Sequence, residues 1–434
     1  MKFTADSNNK KIHSSLKFSF LDGVFASGMV GFTQDYFTPF LLLLGATTQH
    51  VSILNALPNL AAALIQLKSV DFAERSGARR KFITRFVFWQ AAMLLPMTLI
   101  ALIGKSSPMA FIIFVTLFSS FGAFVMPAWG SLMSDLVAEN KRGEYFGWRN
   151  KTLGIMSVVV SFIAGSILQA MHGINIFWGF AVIFAGACIF RLVSWYFLTR
   201  MYEPPLEQRQ ENYFNFLMFI GRIKESNFAK FVLFVALFNF SVNLASPFFA
   251  VLMLRDLHFN YWTYTIITIT ATLTIYLLMS RWGKHADKIG NLKVMRFTAP
   301  IIGILPLLWV VNRSPAFLLI TQVIAGFAWA GFNLCASNFI YDAAIPEKRP
   351  RCIAYFNFLN GLALCLGALL GGFLVDRLPP IFGYQILSIC LVSAALRLSV
   401  GLLALGKIKE VRAVAKVSDT QLFFSIIGVK PLTL

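Results

Sequence analysis

Apolar residues run along this chain in unbroken stretches of about 15 to 27 residues, separated by short polar segments. Twelve such stretches stand out. The first six lie at 18–44, 51–67, 82–103, 109–133, 152–171 and 176–198, and the second six at 231–254, 262–279, 297–311, 317–340, 353–375 and 384–405. A helix needs about 20 predominantly apolar residues to cross a bilayer. Only helices and closed barrels satisfy every backbone polar group there. These runs are continuous and do not alternate with a period of two, which excludes a barrel. The pattern therefore predicts an all-α integral membrane protein of twelve transmembrane helices.

Composition agrees. Of 434 residues, 57% are hydrophobic and only 13% charged, about half the charged share of a soluble domain. The net charge of +19 would suggest a nucleic-acid partner in a soluble protein, but placement argues otherwise. Thirty-two of the 38 Lys and Arg residues fall in, or like Arg85 within one turn of, the alternate segments that share one side of the predicted bilayer. The opposite loops hold only Lys105, Arg255, Arg313 and Arg377, and Arg191 and Arg397 lie inside helices 6 and 12. Under the positive-inside rule both termini are expected in the cytoplasm, in an inner (cytoplasmic) membrane, with no nucleic-acid partner. The polar start lacks an apolar core followed by a cleavage site and reads as a cytoplasmic tail. Cys188, Cys335, Cys352, Cys365 and Cys390 all avoid the outward loops, so no disulfide is expected.

The longest polar stretch, 199–230, divides the chain near its middle and carries the amphipathic run Phe214, Phe216, Leu217, Phe219 and Ile220. The organisation expected is a six-helix bundle at 1–198, this linker, a second bundle at 231–406 and a tail at 407–434. The halves repeat each other. At an offset of 213, Ala73, Glu74, Arg75, Gly77 and Arg80 match Ala286, Asp287, Lys288, Gly290 and Lys293. At 207, Asp135, Lys141, Arg142, Asn150 and Gly154 match Asp342, Lys348, Arg349, Asn357 and Gly361, and Arg191 matches Arg397 at 206. Each copy has an even number of helices, so the copies are parallel repeats about an axis along the membrane normal.

With these motifs in place, the sequence resembles the major facilitator superfamily over nearly its whole length. The family's loop between helices 2 and 3 reads roughly G-x-x-x-D-R/K-x-G-R/K-R/K. Gly283, Asp287, Lys288, Gly290 and Lys293 fit it, while the first copy (Asp71, Glu74, Arg75, Gly77, Arg80) has Val70 for the leading glycine and Glu74 for the aspartate. The resemblance implies a gating role for this loop at the cytoplasmic face, and a central cavity between helices 1, 4, 7 and 10. Purely as topology, the basic residues also serve to fix orientation.

Helix 1 carries Thr33 and Gln34 together with Asp22 and Asp35, and these two are the only acids inside an apolar segment. Asp22 and Asp35 are about 20 Å apart along a helix rising 1.5 Å per residue. Intramembrane carboxylates mark proton or substrate sites, although Asp35 also reads as a helix-end acid and Asp22 as an interfacial one. Further substrate candidates are Trp129, Asn239, Asn243, Trp329 and Asn333, although polar groups in lipid serve helix packing as often as ligand contact. Arg191 and Arg397 read as structural charges, paired with Asp135 and Asp342. Few strong charges reach the expected cavity, which favours a neutral, amphipathic or cationic solute.

No metal-ligand spacing occurs among the five histidines. Gly104-Lys105-Ser106 lacks the glycine a phosphate loop requires, and no nucleophile–base pair is apparent, so neither an enzyme nor a cofactor is expected. The expected activity is secondary transport of a small molecule by a monomer. The resemblance adds alternating access and proton coupling, with export of amphipathic compounds set against import of a sugar or other metabolite. A membrane sensor or scaffold is the reading of another class.

Overall fold

The computed structural model describes residues 2–75, 78–137, 142–204, 226–344, 349–411, 414, 417–426 and 428. Asp71, Glu74 and Arg75 lie within a described helix but their side chains are outside the description, and Gly77, Lys141, Lys348 and the amphipathic run of the linker are outside it altogether. The helices are α1 (Lys2–Thr33), α2 (Thr48–Arg75), α3 (Arg79–Ile103), α4 (Pro108–Leu136), α5 (Arg142–His172) and α6 (Ile176–Thr199). They continue with α7 (Asn227–Asp256), α8 (Tyr261–Ile289), α9 (Asn291–Val311), α10 (Pro315–Ala343), α11 (Arg349–Val375), α12 (Gln385–Leu405) and the short α13 (Asp419–Ile426).

Among the described residues, eleven helices, α2 to α12, are long and apolar enough to span a bilayer. The exception is α1, where Asp22, three glycines and several hydroxyl side chains dilute the apolar run. It is nonetheless as long as its neighbours and packs tightly on α5 and α6. A short helix, Phe37–Leu43, continues it.

The repeat also sets the turns. Gly104 ends α3 in the left-handed region at φ 70°, and Ser107 and Pro108 then start α4. Ser314 and Pro315 start α10 in the same way, at the same 207 offset. Proline suits the first helical turn because its missing N–H would have no partner there. Gly290, at φ 89°, forms the turn from α8 into α9 as a signature-loop glycine should.

By contacts the chain forms two compact units: Met1–Arg209 with Ala250–Ile269, and Gln210–Phe249 with Thr270–Leu434. In the first, α1 packs on α5 and α6, and α4 on α2 and α3. In the second, α7 packs on α11 and α12, and α9 on α10 and α12. Close approach depends on missing side chains. A Cβ at Gly31 would stand 2.5 Å from the Ser157 carbonyl oxygen, and one at Gly371 would stand 2.2 Å from that of Leu244. Phenylalanine fills the remaining core, as where Phe40 meets Phe111 with ring centroids 4.9 Å apart. Leu99, Ile103, Leu402 and Leu403 stay on the outside, as lipid-facing residues do.

Part of the tail is more than a polar end. Leu422 and Ile426 of α13 are fully buried in the second unit. Asp419 pairs with Lys293, and Ser425 Oγ lies 2.8 Å from His285 Nε2 beside the second signature copy.

Because the Gly371 contact is with backbone, Gly371→Ala is expected to cost about 1–3 kcal/mol. Gly130 has open space around its Cβ position, so Gly130→Ala should change stability far less. Thermal unfolding of the two purified variants compares them directly.

Candidate functional site

Three polar clusters lie along the first unit, one near each end and one inside. At the basic end, buried Arg79 opens α3. Its Nη1 donates to Asp135 Oδ2 at 2.6 Å and to Ser131 Oγ at 3.0 Å, and its Nη2 donates to the Pro204 carbonyl. Glu203, just past α6, lies 3.8 Å from Arg79 Nε and accepts the backbone N–H of Arg80 at 3.3 Å. A carboxylate there meets the free N–H groups and the positive dipole end of α3. Arg80 in turn donates to the Met201 carbonyl, 2.9 Å away. The second unit repeats the device. Asn291 donates to Asp342 Oδ2 at 2.8 Å, and Glu410, just past α12, accepts the backbone N–H of Leu292 at 2.7 Å. Lys288 on the same turn is exposed.

The inner cluster joins five helices. Ser194 Oγ donates to Asp22 Oδ1 at 2.6 Å and accepts from Arg191 Nη1 at 2.9 Å. Arg191 Nε donates to Gln90 Oε1 at 2.9 Å. Arg149 approaches from α5: its Nη2 donates to the Ser19 carbonyl at 3.1 Å and lies 3.9 Å from Asp22 Oδ2, and its guanidinium stacks 4.6 Å from the Trp129 ring centre. Asp22 is 4% exposed, and Arg149 and Arg191 are each 7% exposed.

The pairing expected of the two intramembrane arginines is thus corrected. Asp135 is taken by Arg79 and Asp342 is bonded to Asn291. Arg191 reaches Asp22 through Ser194 instead, because α6 lies against α1. Arg397 donates to Ser393 Oγ at 3.0 Å and to the carbonyls of Ile302 and Val242 at 3.2 and 3.1 Å. Gln90 and Ile302, the respective partners on α3 and α9, differ by 212 in sequence, close to the repeat offset.

The third cluster lies at the opposite end of α1. Ser161 Oγ donates to Asp35 Oδ2 at 2.9 Å, and Tyr264 OH donates to the Asp35 carbonyl at 2.6 Å. Buried Tyr36 donates to the Ser161 carbonyl and shares a 3.0 Å hydrogen bond with Thr265 Oγ1. Asp35 is half-buried, and among the described residues it forms no ion pair.

The other candidates are spread out. Asn239 donates to Asn360 Oδ1 at 2.7 Å and Asn243 to the Leu364 carbonyl at 2.6 Å, both stitching α7 to α11. Trp329 is half-buried against Phe238 and Phe332, and Asn333 is exposed. Among the described residues no cluster of three potential metal ligands occurs.

Sequence reading missed Arg149, Gln90, Ser194, Tyr36, Glu203 and Glu410. Glu203 and Glu410 stand 207 apart, the register already visible for Asp135 and Asp342. Tyr145, Phe146 and Trp148 extend the apolar run back past Arg149, which would have placed it inside a helix.

Comparison with known proteins closes the question of family. The model of the Major Facilitator Superfamily matches residues 23–279 and 231–428. A probable efflux pump, gsfJ of Penicillium aethiopicum, is 33% identical over 99 residues, 23% of this chain and 18% of that protein. An uncharacterized MFS-type transporter, YfiU of Bacillus subtilis (strain 168), is 25% identical over 115 residues, 26% of this chain and 21% of that protein. The matched segments therefore span about a fifth of the length of these curated relatives. The fold is that of the nucleoside transporter NupG. A point mutant of NupG superposes with a TM-score of 0.72 at 13% identity, over 91% of this chain and all of that one. The unmutated protein gives 0.67 at 14% identity, over 92% and 99%. A duplicated six-helix pattern and a family match across most of its length make this chain a member of the Major Facilitator Superfamily.

Proposed function

We propose that this chain exports a small amphipathic solute by alternating access, in exchange for protons taken up at Asp35. The observation that carries the coupling is the setting of that carboxylate. It sits at the end of α1, half-buried, held by one serine hydroxyl and facing no cation among the described residues. A proton gained or lost there changes a charge that no cation balances among the described residues, and the change is felt directly by Ser161 on α5, whose carbonyl in turn accepts from Tyr36. Asp22 differs, since its carboxylate is already engaged by Arg149 and, through Ser194, by Arg191. Asp22 acts as the anchor of the first half.

The likeness of one segment to a probable efflux pump favours export. The basic loops favour an inner membrane with both termini in the cytoplasm, and the chain works as a monomer. The carboxylates at the basic end, Asp135 with Glu203 and Asp342 with Glu410, act as the gate residues of that face, together with Gly290 and Lys293.

The test is reconstitution into liposomes loaded with a pH-sensitive dye, challenged in turn with amphipathic acids, bases and neutral solutes. At least one solute should move the internal pH in the wild type, and Asp35→Asn should reduce that response by an order of magnitude or more. Solute flux without proton movement, or an undiminished response in Asp35→Asn, would sink the coupling assignment. Flux confined to sugars or other polar metabolites would replace export of amphiphiles with metabolite uptake.

Asp22→Asn should act on stability instead. It leaves two buried guanidiniums without their carboxylate, a loss of the kind that costs about 3–5 kcal/mol. A melting temperature equal to wild type would remove the anchor role.

A further inference from the structure

We infer that Arg149, with Ser19 and Trp129, forms a subsite for one negatively charged group on an amphipathic solute, a carboxylate being the fitting chemistry. The inference rests on the transport reading and narrows its substrate to organic monoanions.

The charge count carries it. Asp22, Arg149 and Arg191 share one buried cluster, and among the described residues no second carboxylate joins it. Two guanidiniums against one carboxylate leave a surplus positive charge in an apolar interior, where charge is costly unless paired. Two donors in the cluster are also unspent. Arg149 Nε and Ser19 Oγ are buried and have no hydrogen-bond partner among the described residues, although Arg149 Nη2 bonds the Ser19 carbonyl and so draws the two residues together. A carboxylate can take both donors and cancel the surplus. Half-buried Trp129, stacked on the guanidinium, offers an aromatic face to the apolar body of the same molecule.

The second half shows that the fold does not require this cation. At the 207 offset, Arg149 corresponds to Phe356, which packs on Phe231. There the equivalent buried arginine, Arg397, has an acceptor for each of its nitrogens and, among the described residues, no second cation bonded alongside it. Arg149 is an addition peculiar to the half that holds the buried acids.

Thermal unfolding of the purified full chain in benzoate or in benzamide tests this, since a ligand of the folded state raises the melting temperature with concentration. Benzoate should stabilise the wild type and benzamide should not. Arg149→Met should melt higher than wild type without ligand, because the uncompensated charge is gone, and should lose the benzoate response. Arg149→Lys should keep part of it. Benzamide matching benzoate, a benzoate shift that survives in Arg149→Met, or an Arg149→Met variant that melts lower would each overturn the subsite. The transport reading would then still stand or fall on the liposome flux alone.

Discussion

A guanidinium inside an apolar bundle has to be met by acceptors from every side, and each half of this protein is organised around meeting one. Arg191 reaches Gln90 on α3 and, through Ser194, Asp22 on α1. Arg397 reaches a carbonyl on α9 and another on α7. In both cases a helix at the end of the six-helix repeat is tied to its first and third members. The interaction survives duplication because an arginine carries enough donors to bridge two neighbours at once, and because losing any acceptor would strand a charge in a medium that cannot solvate it.

The halves solve the problem differently, and the difference points to function. The second half answers its arginine with backbone carbonyls and a serine, a neutral and fixed arrangement. The first half answers with Asp22, then adds Arg149 against it, and keeps Asp35 at the other end of the same helix. Titratable and charged chemistry is therefore concentrated on α1 and the helices packed on it. Those charges, with the glycines and hydroxyl side chains around them, leave α1 outside the eleven described helices that are apolar enough to span a bilayer.

The clusters at the basic end follow a simpler rule. The helix starting after each signature loop presents unpaired N–H groups, and a carboxylate from just beyond the last helix of the same half accepts one of them. Glu203 and Glu410 do this in matching positions, with Asp135 and Asp342 bonded alongside.

Much of this was written in the chain as pattern. Continuous apolar runs, alternating basic loops and offsets of 206 to 213 between matching residues determined the twelve spanning helices, the duplication and the family, because lipid solvation and backbone hydrogen bonding act on local composition. The intramembrane charges were visible too, but their partners were not. Arg191 was expected to pair with Asp135, and Arg149 fell outside the apolar stretches. Only tertiary structure decided that Asp135 goes to Arg79, that Asp22 takes Arg191 through Ser194, and that Arg149 is buried over Trp129. Which charges meet depends on which helix faces pack together, and that is settled by the fit of small residues such as Gly31 and Gly371 across long stretches of chain.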